Sequence, residues 1–174
     1  MKTLISYATK YGATRECAER ISEKLPGEVT LHDLEKSMDV DLTPYDCVVI
    51  GCSGYMGKPR KPVRKFCETN LRTLLGKRLG LYMCCIQDIK KSVLQQFELA
   101  YPKQLMQEAA VLGRFGGVVD FTKLKVFDRF IMNMIAGDLR KKTGNDVVST
   151  LSEDEISAFA NVLAEGTPEQ KSLL

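Results

Sequence analysis

Apolar residues along the chain fall into short unbroken runs closed by polar turns, and between those runs they recur at helical spacing, so strand and helix alternate from one end to the other. Leu4-Ile5-Ser6-Tyr7 reads as a first strand. Gly12 to Lys24 follows as a helix with Cys17, Ala18 and Ile21 on one face, continued by Leu25 and stopped by Pro26-Gly27. Val29-Thr30-Leu31-His32 is a second, short strand. The third, Asp46-Cys47-Val48-Val49-Ile50-Gly51, is β-branched and free of polar interruption after Asp46, as expected of a central parallel strand covered on both faces. A helix is expected from about Pro62 to Leu75, with Pro62 in the first turn where its missing N–H costs nothing. Leu79 to Ile86 is the fourth strand and Ala109 to Gly113 the fifth, separated by a helical stretch through Leu94, Phe97 and Leu105. A last helix is announced by Ser152 with Glu155 three residues on, a capping-box spacing, and carried by Ile156, Phe159, Ala160, Val162 and Leu163.

Such alternation means βαβ units, right-handed crossovers and a parallel sheet. The expected fold is therefore α/β, a three-layer α/β/α sandwich around a doubly wound, five-stranded parallel sheet. No repeat, low-complexity segment or Pro/Gly/Ser linker divides the chain, so 1–166 is expected to form one domain followed by a tail at 167–174. In this architecture ligands sit outside the carboxyl ends of the strands, at the switch point where neighbouring connections diverge. The loops after strands one, three and four are where chemistry is to be sought.

Charge sharpens this picture. The 174 residues hold 25 Lys+Arg and 22 Asp+Glu, a net +3, but the excess is local. Tyr55 to Cys67 carries five cations and no acid, Phe121 to Lys142 six cations against two acids, and the remainder 14 cations against 20 acids. An acidic body with two basic patches lacks the continuous basic face that nucleic-acid coating needs. The six cysteines are thinly spread and mostly in apolar contexts, which reads as reduced thiols in a cytoplasmic protein. Without a C-x-x-C spacing, and with His32 alone, a zinc site has almost no ligand set. The apolar stretch before Lys10 is too short for a signal peptide, and no run approaches the roughly 18 apolar residues of a membrane span.

The loop after the first strand, Thr9-Lys10-Tyr11-Gly12-Ala13-Thr14, opens directly into an amphipathic helix. Two hydroxyls bracketing a glycine there offer side-chain donors, free backbone N–H groups and the positive end of a helix dipole, all converging on one small anion such as a phosphate. The Walker pattern and the paired glycines of a dinucleotide fingerprint are both missing. The plainer alternative is that a hydroxyl simply caps the helix.

Tyr7 to Thr14, followed by Ala18, resembles the flavodoxin signature, with Ser6 standing where that signature usually has an aliphatic or aromatic residue. Val48 to Gly57, Val126-Phe127-Asp128-Arg129-Phe130 and the segment from Thr150 to Leu163 are similar to the flavodoxin-like, quinone-dependent protoporphyrinogen oxidases of bacteria, a resemblance that covers most of the chain. It implies the sheet order 2-1-3-4-5 and FMN as cofactor. Thr9, Lys10, Tyr11, Gly12, Ala13 and Thr14 would hold the phosphate; Ser53, Gly54, Tyr55, Met56 and Gly57 would shape the ring site, with Tyr55 stacking on the ring or merely packing its loop. Ile86, Gln87 and Asp88 would face the ring from the other side. Cys52 and the pair Cys84-Cys85 lie near these loop ends. A redox-thiol role competes there with the commoner one of buried structural cysteines, and a vicinal pair in a strand points to opposite faces.

The first basic patch, Lys58 to Lys65, would rim the flavin. In the second, Leu124, Phe127, Phe130, Ile131, Met134 and Ile135 are spaced as one helical face ending at Gly137. That face either belongs to the outer layer of the core or meets a membrane surface or hydrophobic electron acceptor. The resemblance leaves three activities open: an oxidase passing electrons from protoporphyrinogen or another reduced substrate to a quinone, a carrier shuttling electrons between redox partner proteins, and an interaction module without cofactor. No side chain stands out as a general base, and no oligomeric state is assigned. The basic patches point to an acidic partner or an anionic membrane surface.

Overall fold

A computed structural model describes residues 1–55, 58–86 and 93–165, apart from the side chain of Ile135. Met56, Gly57, Gln87 and Asp88, and the tail at 167–174, lie outside the described residues.

Five parallel strands form the sheet in the order β2 (Glu28–Asp33), β1 (Lys2–Ala8), β3 (Cys47–Tyr55), β5 (Arg78–Cys84) and β6 (Val111–Arg114). This is the expected 2-1-3-4-5 order, with a two-residue strand, β4 (Lys58–Pro59), added antiparallel to the end of β3. β1, β3 and β5 are buried along almost their whole length, which is why their sequences show no polar alternation.

On one face of the sheet lie α2 (Lys61–Thr69), α3 (Leu71–Leu74), α4 (Val93–Ala100) and α5 (Lys103–Glu108), which bring Phe66, Leu74, Phe97 and Leu105 against Leu4, Val48, Ile50 and Leu81. On the other lie α1 (Ala13–Lys24) and α7 (Glu153–Glu165), with Cys17, Ile21, Phe159 and Leu163 against Ile5, Val49 and Tyr82. Since β1 feeds α1 on one face and β3 feeds α2 on the other, connections diverge between β1 and β3, and a crevice opens at their carboxyl ends.

Several boundaries differ from those the spacing predicts. The helix expected over 62–75 breaks at Asn70, whose Nδ2 donates to the Phe66 carbonyl at 3.0 Å and competes with the helical ladder. The stretch around 94–105 is interrupted at Tyr101-Pro102, because Pro102 has no N–H to continue a helix. Ser152 does cap α7, its Oγ accepting from the Glu155 N–H at 3.3 Å. Only half of the capping box forms, since the Ser152 N–H goes to the Phe115 carbonyl. A separate antiparallel pair, β7 (Val118–Asp120) with β8 (Val147–Ser149), was not foreseen; α6 (Val126–Thr143) packs on it.

One contact fixes the carboxyl edge of the sheet relative to α1. Tyr82, fully buried on β5, lies across β3 at Gly51 and donates its hydroxyl to the Thr14 carbonyl at 2.8 Å. A Cβ at Gly51 would stand 2.1 Å from the Tyr82 ring, so only glycine admits this crossing. Gly51→Ala is accordingly expected to lower unfolding free energy by about 1–3 kcal/mol in urea denaturation; an unchanged midpoint would contradict the crossing.

Candidate functional site

The loop between β1 and α1 turns through Gly12, at φ +97°, and a Cβ there would meet nothing within 4 Å, so the loop opens outward at this point. Gly12 is also the N-cap of α1, and no side chain caps that helix. The Thr9 hydroxyl accepts from the Gly12 N–H at 3.0 Å, bracing the loop internally. The plain capping role for these hydroxyls is therefore not the one observed, and among the described residues no side chain accepts from the N–H groups of the first turn. Ala13 and Thr14 are buried. The Thr14 hydroxyl lies beside the Cys84 thiol yet makes no hydrogen bond of ordinary geometry.

At the end of β3 the register places Ser53 opposite Cys84, so the segments after β3 and β5 leave the sheet side by side. Ser53 is buried and its hydroxyl is likewise unpaired. A Cβ at Gly54 would stand 3.4 Å from that of Cys85, in ordinary van der Waals contact, so the ends of β3 and β5 lie against one another here. Tyr55 and Ile86, both half-buried, pack with Tyr11 against a small third core formed by Val119, Phe121, Leu124, Met132, Ala136 and Val148.

Three of the residues singled out in the sequence meet at one carboxylate. Asp128, on α6, accepts from the Tyr55 hydroxyl at 2.5 Å, from the Tyr11 hydroxyl, and from Lys10 Nζ at 3.1 Å to each oxygen. Lys10 Nζ also sits 3.5 Å from the centroid of the Tyr55 ring, and the two tyrosine rings meet edge to face at 6.0 Å. The donors on Tyr11 and Tyr55, helped by Lys10, hold the Asp128 carboxyl down to a pKa of about 2. Burial, together with the same carboxylate, pushes both phenols well above their ordinary range. Asp128 escaped the site reading because an acid inside an apolar helical pattern resembles solvent-facing polarity. In the sequence it is marked by the resemblance that Val126 to Phe130 carries; on α6 it shares a face with Met132 and Ala136, which are buried.

Beside Lys10 and Tyr55 opens a cavity of about 510 Å³ lined also by Lys58, Pro59, Arg60, Lys61 and Pro62. Its charge is smaller than the sequence count implies, since Arg60 pairs with Glu35 at 2.6 Å and Lys10 with Asp128. Lys58 and Lys61 are exposed. The six cysteines are all buried and unbridged. Burial raises the Cys52 thiol to about 12, and burial with the neighbouring Cys17 raises Cys84 far above its normal range, an inert setting rather than a reactive one.

Of the two alternatives for the apolar face of α6, the one that joins it to the outer layer of the sheet is corrected. The side of α6 turned to the small third core is the one bearing Asp128, Met132 and Ala136, whereas Val126, Phe127, Phe130 and Met134 are 66–89% exposed. Among the described residues no helix is long and apolar enough to cross a membrane.

The chain matches the family model described as a flavodoxin domain over residues 4–146. Among solved structures it is similar to a flavodoxin of Streptococcus pneumoniae TIGR4, at 14% identity over 96% of this chain and 100% of that one, with a TM-score of 0.56. A flavodoxin, WrbA-like protein from Agrobacterium tumefaciens has 16% identity over 95% and 99% of the two chains and a TM-score of 0.51. Oxidised flavodoxin 2 from Bacillus cereus has 20% identity over 96% and 100%, with a TM-score of 0.50. At these identities the likeness is one of fold. No curated protein sequence matches the chain.

The depressed pKa of Asp128 has a definite pH signature. Because the folded value lies below the usual 3.8, the stabilisation is fully present above about pH 4 and is lost as pH falls towards 2. The stability deficit of Asp128→Asn relative to wild type, followed by urea unfolding, should therefore stay constant from pH 7 to 5 and shrink below 4. A deficit that persists undiminished at pH 2 would contradict the charged cluster.

Proposed function

Since the chain belongs to the flavodoxin domain family, we propose that it binds FMN at the carboxyl ends of β1, β3 and β5 and works as an electron carrier between redox partners. The observation that carries this reading is the uncapped start of α1 at Gly12, open to the outside, with the Thr14 and Ser53 hydroxyls buried and unpaired at the same edge. An unpaired buried hydroxyl costs free energy, and an anion or a polar ring edge seated over these loops supplies the missing partner. The residues present fit the cofactor. Thr9, Lys10, Tyr11, Gly12, Ala13 and Thr14 would hold the phosphate; Ser53, Gly54, Tyr55 and Ile86 would border the ring, together with Met56, Gly57, Gln87 and Asp88, which lie outside the described residues.

Bound FMN supplies the capacity to accept and return one or two electrons. The chain's own contribution is to fix that ring, keep water from one side of it through Tyr55 and the third core, and present a charged rim to partners.

A second reading, in which the flavin takes electrons from protoporphyrinogen or another reduced substrate and passes them to a quinone at an anionic membrane, is favoured by α6. Four large apolar side chains, Val126, Phe127, Phe130 and Met134, stand exposed beside Lys123, Lys125 and Arg129, a composition suited to the interface of an anionic bilayer. The flavodoxin structures named above are similar in fold alone and lend this second reading no weight.

Thr14→Val is expected to leave the flavin-free protein about as stable as wild type, because the lost hydroxyl makes no hydrogen bond of ordinary geometry. FMN binding, read by fluorescence quenching, should weaken about tenfold through the lost phosphate contact. Unchanged affinity would contradict the placement of the phosphate. Phe127→Ser with Phe130→Ser should abolish sedimentation with vesicles containing phosphatidylglycerol; if wild type does not sediment with them, the membrane reading fails and the carrier reading stands.

A further inference from the structure

We propose that Asp128 is a positioning residue for the cofactor loops. Its carboxylate ties Lys10 and Tyr11 of the loop after β1, and Tyr55 at the end of β3, to α6, so that this helix sets the spacing of the phosphate and ring loops. The inference rests on the FMN reading above and adds a role for an element outside the parallel sheet.

Three features of the geometry support it. The partners come from two segments far from α6 in sequence, 118, 117 and 73 residues away; β1 and β3 are paired as far as Ala8 and Cys52, and the carboxylate ties the residues just beyond that pairing to α6. The Asp128 side chain is only 13% exposed. Its position is set by packing, since Met132 and Ala136, one and two turns along the same face, are buried against Val119, Phe121 and Val148. The charges also cancel. A lone carboxylate beside a phosphate loop would repel the phosphate, but Lys10 neutralises it, and the ammonium rests over the Tyr55 ring. Asp128 is thus suited to holding donors in place rather than to meeting the cofactor.

The chemistry of the carboxylate is specific. An ionised Asp presents two acceptor oxygens and can receive two hydroxyls and an ammonium at once, whereas Asn of the same size has one acceptor and turns a donor towards the others. Asp128→Asn therefore releases at least one tether with little change in volume.

Wild type, Asp128→Asn and the double variant Tyr11→Phe with Tyr55→Phe are to be compared by amide hydrogen exchange without flavin, by FMN titration, and by the visible absorption band of bound FMN. Without flavin, both variants should raise exchange about tenfold in 9–12 and 53–55 while β1 and β5 stay within about twofold of wild type. Each should weaken FMN by about tenfold and shift the visible band. Combining Asp128→Asn with Tyr55→Phe should weaken FMN by less than the two single effects multiplied together, because both act on one shared cluster. If exchange in the two loops is unaltered, the tether is absent and the proposal is overturned, whether or not FMN binds. If the loops loosen but FMN affinity and the band match wild type, Asp128 is only a structural contact and the proposal is likewise overturned. Failure of wild type itself to bind FMN would instead refute the functional reading, with the exchange comparison still deciding the tether.

Discussion

Burial of a parallel sheet on both faces is the constraint from which the rest of this molecule follows. β1, β3 and β5 give up nearly all their surface to helices, so only side chains at their carboxyl ends are available for chemistry, and it is there that strands from different crossovers come within reach of one ligand. The packing also sets the precision of that edge. Tyr82 crosses Gly51 to reach the Thr14 carbonyl, so the start of α1 is referenced to the centre of the sheet by a rigid aromatic side chain and not by the loop itself. A loop held in this way can leave its N–H groups and hydroxyls unpaired, as a binding site must, without collapsing onto them.

The second level of order comes from outside the sheet. β7, β8 and α6 build a small core of their own, and its edge is lined by Tyr11, Tyr55 and Ile86, residues of the three loops that leave the sheet at the site. The Asp128 carboxylate lies at this junction, where both tyrosines and Lys10 converge. The same helix then turns Phe127, Phe130 and Met134 outwards. One face of α6 thus packs on the third core and the Asp128 cluster, and the opposite face is turned to solvent.

The fold was largely legible in the sequence, and the site only in part. Runs such as Cys47 to Ile50 have no polar alternation because both faces of the strand are covered, and that signature survives without any knowledge of neighbours. Short β4 left no such trace: Lys58 and Pro59 open a basic patch with no apolar run, and only pairing with Gly54 and Tyr55 makes them a strand. In the helix around 130 the periodicity was sound but the covered side was not readable from it. The buried line runs through an acid, a methionine and an alanine, and the large aromatic residues that normally mark a core face are the exposed ones. Asp128 was invisible as a site residue because its partners are brought to it from over 70 positions away. Thr9 and Thr14 were visible because a hydroxyl-rich turn between strand and helix is a local feature.

The central claim is that the loops after β1 and β3 form one FMN site braced by Asp128. It is tested most directly by a crystal structure of the protein with FMN. The account predicts the phosphate among residues 9–14, the ring bordered by residues 53–55, and the Tyr11 and Tyr55 hydroxyls still on the Asp128 carboxylate. A flavin bound elsewhere, or one seated at these loops with both tyrosines released from Asp128, would contradict it.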